Sequence, residues 1–451
     1  MRKSSAFILP EILISLALLM LFIMPMLYFL FSIQPLRNIS KQSLLHVREI
    51  PNAKSLIKNL AATNFESIVD MDGIQELDGV GSCNFLLGGL SAGVGTSSSS
   101  VLATEISTRL EYVYSPQLST DTNFPTSIDL ISDYEADAEN YLLFIGFNSS
   151  STTDPDILVF HTSDLPTAGL ERKQFFLGPG VNNLVMNPKY LVATERSHLT
   201  PIWKGDTRKL LGEISDGGDI EGGNLVTISS STIDNAFPLS LYLSGGKIAI
   251  GSEKNSGREA FVIDVESGAG DYGAEIGAGV NDILLKNSLL YIASPKNPEL
   301  EVYDISSTTA FAPRYFFDAD GSSGNGKSLA TQHGGLFLGR TTGNNELINL
   351  KSDYSSLASA GEEFMEAKNF NPNESILSVT PVYGGTVLLL TTNDPAKALM
   401  FLKLSESGIS KYEHVLDISL PAVIEDHVCL KNELVAVLKS TSTPMVKIKF
   451  P

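Results

Sequence analysis

Gly279-Val-Asn-Asp-Ile-Leu-Leu-Lys-Asn-Ser-Leu-Leu-Tyr-Ile-Ala-Ser294 and, after a short polar loop, Leu300-Glu-Val-Tyr-Asp-Ile-Ser306 read as three successive strands. Two apolar runs flank Asn287-Ser288, a pair that suits a tight reversal because Asn tolerates the left-handed backbone. The third run is rich in β-branched and aromatic residues and ends in Asp-Ile-Ser. Such a unit has apolar faces that only neighbouring units can cover.

The same unit recurs on both sides. A turn signal followed at once by an apolar strand stands at Glu139-Asn140, Asn187-Pro188, Gly245-Gly246, Asn287-Ser288, Gly334-Gly335, Gly384-Gly385 and Lys431-Asn432. The mean interval between them is about 49 residues. Third strands follow at 157–160, 261–265, 300–305, 347–350, 400–404 and 445–450. The second unit is less regular, with Ile202-Trp203 as its candidate third strand and an acidic, Gly-rich insertion at Asp216 to Asn224. Short strands in groups of three or four, repeated every 40 to 50 residues or so, define a β-propeller. The expected fold is therefore mainly β: a seven-bladed propeller over residues 101–451.

The stretch from Gly279 to Ser306, echoed by Phe261-Val-Ile-Asp-Val-Glu-Ser267, resembles the LVIVD-type repeat of exported bacterial propellers. One tryptophan and no Gly-His or Trp-Asp pairs argue against the WD type. The seventh unit stops after its third strand, which would leave an open edge. Thr108-Arg-Leu-Glu-Tyr-Val-Tyr114 alternates polar and apolar residues ahead of the first unit. It is expected to complete the last blade and latch the ring.

The N-terminus has a different character. Between Phe7 and Ile33 the only charged residue is Glu11, and the run exceeds the roughly 20 residues needed to span a bilayer as a helix. It is too long for a signal peptide and lacks a small-x-small cleavage site after it. A carboxylate inside such a helix costs about 2.5–3.5 kcal/mol unless it is paired. Ala6-Phe7-Ile-Leu-Pro10-Glu11 after a short basic leader resembles the N-terminal segment of type IV prepilins and type II secretion pseudopilins. That resemblance implies a leader of residues 1–6, cut by a prepilin peptidase between Ala6 and Phe7, with methylation of the new amine. It further implies that Glu11 meets the N-terminus of a neighbouring pilin subunit in a filament. Departures from the pattern are Ala where Gly is commoner, and Pro10 before the glutamate. Residues 7–62 are expected to form a pilin-like transmembrane helix and stalk, with Pro51 interrupting it. An uncleaved membrane anchor fits the same apolar run.

Residues 63–100 have linker composition, ending in Gly93-Val-Gly95-Thr-Ser-Ser-Ser-Ser100. They contain a formal esterase-elbow match, Gly89 to Gly93, without the strand and helix that motif needs. Aspartate and glutamate total 51 against 32 lysines and arginines, a net charge of -19. That balance repels phosphate backbones and speaks against a nucleic-acid partner. The two cysteines, Cys83 and Cys429, would bridge in an oxidising compartment if the fold brings them together.

Gly321-Ser-Ser-Gly-Asn-Gly326-Lys327-Ser328 matches the P-loop pattern, but the hairpin at His333 to Gly335 leaves no room for the helix that would hold a phosphate. The stretch is expected to be a loop between blades. The six histidines show no zinc spacing, and no catalytic group is assigned, so the protein is read as a non-enzyme. Loops joining one blade to the next, together with those after each second strand, share one face of a propeller. Asn182, Asn183, Asp318, Asp320 and Asn325 are the candidate ligand contacts there. No cofactor is expected, calcium being the one ion the acidic loops would suit. The sequence reads as a low-copy or tip pilin-like subunit at the inner membrane, displaying a propeller outside the cytoplasm for adhesion to a surface glycan or protein. An anchored scaffold and a tethered hydrolase or lyase are the alternatives.

Overall fold

In the computed structural model the described residues are 110–113 and much of 124–449, within one compact unit, Asp72–Pro451. Residues 1–109, 114–123 and stretches such as 133–140, 163–172, 211–224, 229–236 and 352–363 lie outside the description. The proposed leader, transmembrane helix and linker fall there. Among the described residues no helix is long and apolar enough to cross a membrane.

The described strands form seven four-stranded antiparallel sheets. The first strand, β1 (Leu110–Val113), joins the last sheet. The first blade is β2 (Pro125–Ser132), β3 (Tyr141–Phe147), β4 (Ile157–His161) and β5 (Lys173–Phe175), from the axis outward. The second is β6 (Val181–Met186), β7 (Tyr190–Glu195), β8 (Ile202–Asp206) and β9 (Leu225–Ile228). The third is β10 (Pro238–Ser244), β11 (Lys247–Ser252), β12 (Ala260–Asp264) and β13 (Tyr272–Ala274), and the fourth β14 (Asp282–Lys286), β15 (Leu289–Ala293), β16 (Leu300–Asp304) and β17 (Ala312–Phe317). The fifth is β18 (Gly326–Gln332), β19 (Gly335–Arg340), β20 (Leu347–Lys351) and β21 (Phe364–Met365), and the sixth β22 (Ile376–Val382), β23 (Val387–Thr392), β24 (Leu399–Leu404) and β25 (Tyr412–Ile418). The seventh contains β26 (Ile424–Leu430), β27 (Glu433–Leu438) and β28 (Met445–Lys449), with β1 antiparallel to β28 as its outer strand.

The core shows why seven sheets make a ring. Each of seven apolar clusters lies between consecutive blades, because the second strands and most of the third strands are buried on both faces; β8, with Lys204 half-buried and Asp206 exposed, departs from this. Ile128, Leu143 and Ile145 of the first blade pack with Val428, Val435 and Met445 of the seventh, so the circle closes. At the outside of that seam Lys449 Nζ meets Glu111 Oε1 at 2.7 Å, which holds the Glu111 carboxyl below its ordinary pKa.

One expectation falls outside the description and one needs correction in detail. The turn expected at Glu139-Asn140 lies among residues 133–140, outside the described residues, between Ser132 and its partner Tyr141. The P-loop look-alike is only partly a loop: Gly326, Lys327 and Ser328 open β18, the innermost strand of the fifth blade. A strand extended by cross-strand pairing cannot wrap a phosphate as a helix N-terminus does.

Candidate functional site: the channel edge and the buried acids beneath one rim

The innermost strand of a blade has a partner on one side only, so alternate N–H groups face the channel unpaired. Three aspartates fill that vacancy across blade boundaries. Asp129 accepts from Leu130 N (2.8 Å) and, in the second blade, from Met186 N (2.6 Å). Asp282 accepts from Ile283 N (2.8 Å) and from Leu329 N of the fifth blade (2.7 Å). Asp426 accepts from His427 N (2.8 Å) and from Ile128 N of the first blade (3.0 Å), across the closing seam. Each carboxyl keeps some accessible surface but sits deep in the ring. Desolvation therefore dominates, raising Asp129 and Asp426 to about 7 and Asp282 to about 6. The N–H donors pull each value back, Asp426 pushes Asp129 up, and Lys327 eases Asp282 down.

A second device recurs on the inner strands. In six of the seven inner hairpins the register slips by one residue near the strand's start. The residue after each slip is polar: Ser127, Asn183, Ser240, Ser328, Ser378 or Asp426. The bulged residue itself reaches across the seam in two cases. Thr126 Oγ1 donates to Val181 O at 2.6 Å, and the Asn182 side-chain amide donates to Pro238 O. Asn281 Nδ2 donates in the same way to Gly326 O at 2.6 Å. The sixth and seventh blades are linked by Thr380 Oγ1 and His427 Nε2 at 2.9 Å, with burial lowering the His427 pKa to about 4.

The third device lies under the rim that carries the blade-to-blade connections. Asp156, Glu259, Glu299 and Glu346 each immediately precede a third strand and are at most 1 % exposed. Asp156 Oδ2 accepts from Leu177 N at 2.6 Å, just beyond β5. Glu259 Oε2 accepts from Ile276 N (2.6 Å) and Gly277 N (3.0 Å), just beyond β13. Each acid thus clamps the backbone as it leaves an outer strand for the next blade. Glu299 instead takes Arg340 of the fifth blade in two bonds of 2.6 Å, both side chains being 0 % exposed. The carboxylates of Asp156, Glu259 and Glu299 are committed to these donors, which suits them to holding the rim rather than to proton transfer.

The expected ligand residues fare unevenly. Asn182 and Asn183 lie within β6, not in the loop before it, because the bulge keeps the strand going. Asp318 follows β17 and is half-buried. Asp320, Asn325, Ala6, Phe7, Glu11 and Cys83 lie outside the described residues. Cys429, on β26 and 2 % exposed, is half of a disulfide. Among the described residues no group of three His, Cys, Asp or Glu side chains is placed to hold a metal ion.

This geometry defines the class: a seven-bladed β-propeller scaffold. Among solved structures it is similar to the WD40 repeats of RRP9, with TM-score 0.53 and 12 % identity over 76 % of this chain and 98 % of that one. It is also similar to U3-55K, with TM-score 0.51 and 13 % identity over 76 % and 98 % of the two chains. At such identity the likeness is one of fold. The sequence matches no protein-family profile and no curated protein.

Proposed function

We propose that this chain is a minor pilin-like or pseudopilin-like subunit that carries its propeller outside the cytoplasm, at low copy or at a filament tip, for adhesion or ligand binding. The N-terminal sequence pattern carries the pilin-like part of this reading, and the placement of β1 bears on how the ring would display its loops. The chain joins the ring at Leu110, whose row across the last blade runs through Ile448 and Leu434, beside the hairpin between β26 and β27. That hairpin is on the opposite rim from the blade-to-blade connections, since successive strands of a meander alternate in direction. The chain thus enters the ring on the rim opposite the blade-to-blade loops, and those loops are the surface a protein or glycan ligand would contact.

The N-terminal pattern supports the stem, with Ala6 and Phe7 as the peptidase site and Glu11 as the assembly residue. A bulky ring cannot repeat along a tightly packed filament, which supports the low-copy position. The test is Glu11→Ala in the full chain, followed through membrane and sheared-filament fractions. Loss from the filament fraction with normal membrane insertion is expected. Absence of both wild type and variant from the filament fraction would favour an anchored scaffold that never enters a filament, and an undiminished amount of the variant there would overturn the assembly role of Glu11.

A further inference from the structure

We propose that β28 is an exchangeable strand-docking edge that accepts an extended acidic peptide, the place now filled by Glu111 and the rest of β1. The seventh blade differs from the other six in where its outer strand comes from. Strands β5, β9, β13, β17, β21 and β25 each follow the third strand of their own blade, whereas Glu111 and Lys449 are 338 residues apart. Among the described strands β1 pairs with β28 alone, through the 4 residues Leu110–Val113. Closure of the ring is therefore a binding event at one sheet edge, and that edge can take another strand by the same backbone bonds.

Four charges set what the edge accepts. Glu111 stands opposite Lys447, and Glu433 opposite Lys449, so all of them lie on one face of the sheet. The ion pairs run diagonally, Lys449 Nζ meeting Glu111 Oε1 at 2.7 Å and Lys447 Nζ meeting Glu433 Oε2 at 2.8 Å. Strand β27 thus supplies one carboxylate to the two lysines of β28, and the docked strand supplies the other. On the opposite face Val446 and Ile448 belong to the apolar cluster between the sixth and seventh blades, which calls for apolar residues on either side of the acid. A lysine in place of Glu111 would set three cations together. The two ion pairs also differ in solvent contact. The Lys449 and Glu111 side chains are 40 % and 42 % exposed, against 10 % and 27 % for Lys447 and Glu433. Salt screens the first pair and largely spares the second, so it loosens β1 and leaves β26, β27 and β28 paired. An exposed pair of this kind shifts an equilibrium by up to about fivefold. The edge works in this way whether or not the chain enters a filament.

The test uses the full chain purified in detergent. Hydrogen exchange, read by mass spectrometry, should quicken several-fold at Met445–Lys449 between about 0.01 M and about 1 M salt, with the ladder between β14 and β15 unchanged. Glu111→Gln should remove that salt response. A dye-labelled peptide of residues 108–114 is then added and its anisotropy followed. It should bind the Glu111→Lys chain about fivefold more tightly than wild type, because the resident strand is weakened there, and it should slow exchange at Met445–Lys449. The same peptide with its glutamate replaced by lysine should bind neither chain. An equal salt response in Glu111→Gln and wild type overturns the role of the charges. No binding of the glutamate peptide to either chain, equal binding of both peptides, or binding that leaves exchange at Met445–Lys449 unslowed overturns the docking edge.

Discussion

Arg340 is the deepest cation described in the ring, and replacing it with methionine tests whether the seam between the fourth and fifth blades depends on charge. The guanidinium donates two 2.6 Å bonds to Glu299, and both side chains are 0 % exposed. Taking away one partner leaves a carboxylate buried without its counter-charge, which costs about 3–5 kcal/mol. With roughly 340 residues in the ring and about 2.1 cal/mol/K of unfolding entropy for each, the midpoint should drop by some 4–7 °C. Replacing both partners, Arg340→Met with Glu299→Met, removes charge and counter-charge together and should return stability to within about 1 kcal/mol of wild type. Calorimetry on the wild type, the single variant and the double variant measures this. A single variant that melts within about 1.5 °C of wild type, or a double variant no better than the single, would refute the reasoning, because the pair would then not be desolvated as its burial implies.

Stability should also respond to pH in a direction opposite to ordinary acid denaturation. Asp129, Asp282 and Asp426 have folded values raised to about 7, 6 and 7 by burial. The ring therefore favours their protonated forms, a contribution present below the unfolded value near 4 and lost as pH rises toward 7, at most about 4 kcal/mol for a three-unit shift. His427, lowered to about 4, works the other way below its ordinary value. Melting should still move down between pH 5 and pH 8, and the slope should flatten in Asp129→Asn/Asp426→Asn; an unchanged slope would count against the channel carboxylates. A third test is Gly251→Ala. The added Cβ would stand 2.2 Å from Ser240 Oγ and 2.4 Å from Val280 Cγ1 of the next blade. A loss of about 1–3 kcal/mol is expected, with partial recovery when Val280→Ala is added; no loss would mean the seam has slack.

Much of the ring was legible because its second strands and most of its third strands are buried on both faces and so read as apolar runs. Thr108 to Tyr114 stood out as a strand without a blade, and Leu110–Val113 does pair with β28. The outer strands were not legible. Several are short or half-wet: β13 spans three residues, and in β17 Ala312, Pro313, Arg314 and Phe316 are exposed, so no period survives. Asn182 and Asn183 read as loop because a register slip has no sequence mark of its own. The buried acids did have a mark. Asp156, Glu259, Glu299 and Glu346 each stand one residue before a third strand, and aligning the units on those strands would have shown them in a column. The edge-capping aspartates carried no such signal, since Asp129 sits two residues further along its strand than Asp426, and only the neighbouring blade's N–H explains either.

The proposed pilin-like role requires a processed, membrane-held stem bearing a ring that stays outside the cytoplasm. Intact-mass measurement of the chain extracted from membranes tests this most directly. The predicted species lacks Met1 to Ala6 and begins with N-methylated Phe7. A chain still carrying its first six residues would contradict the pilin-like role.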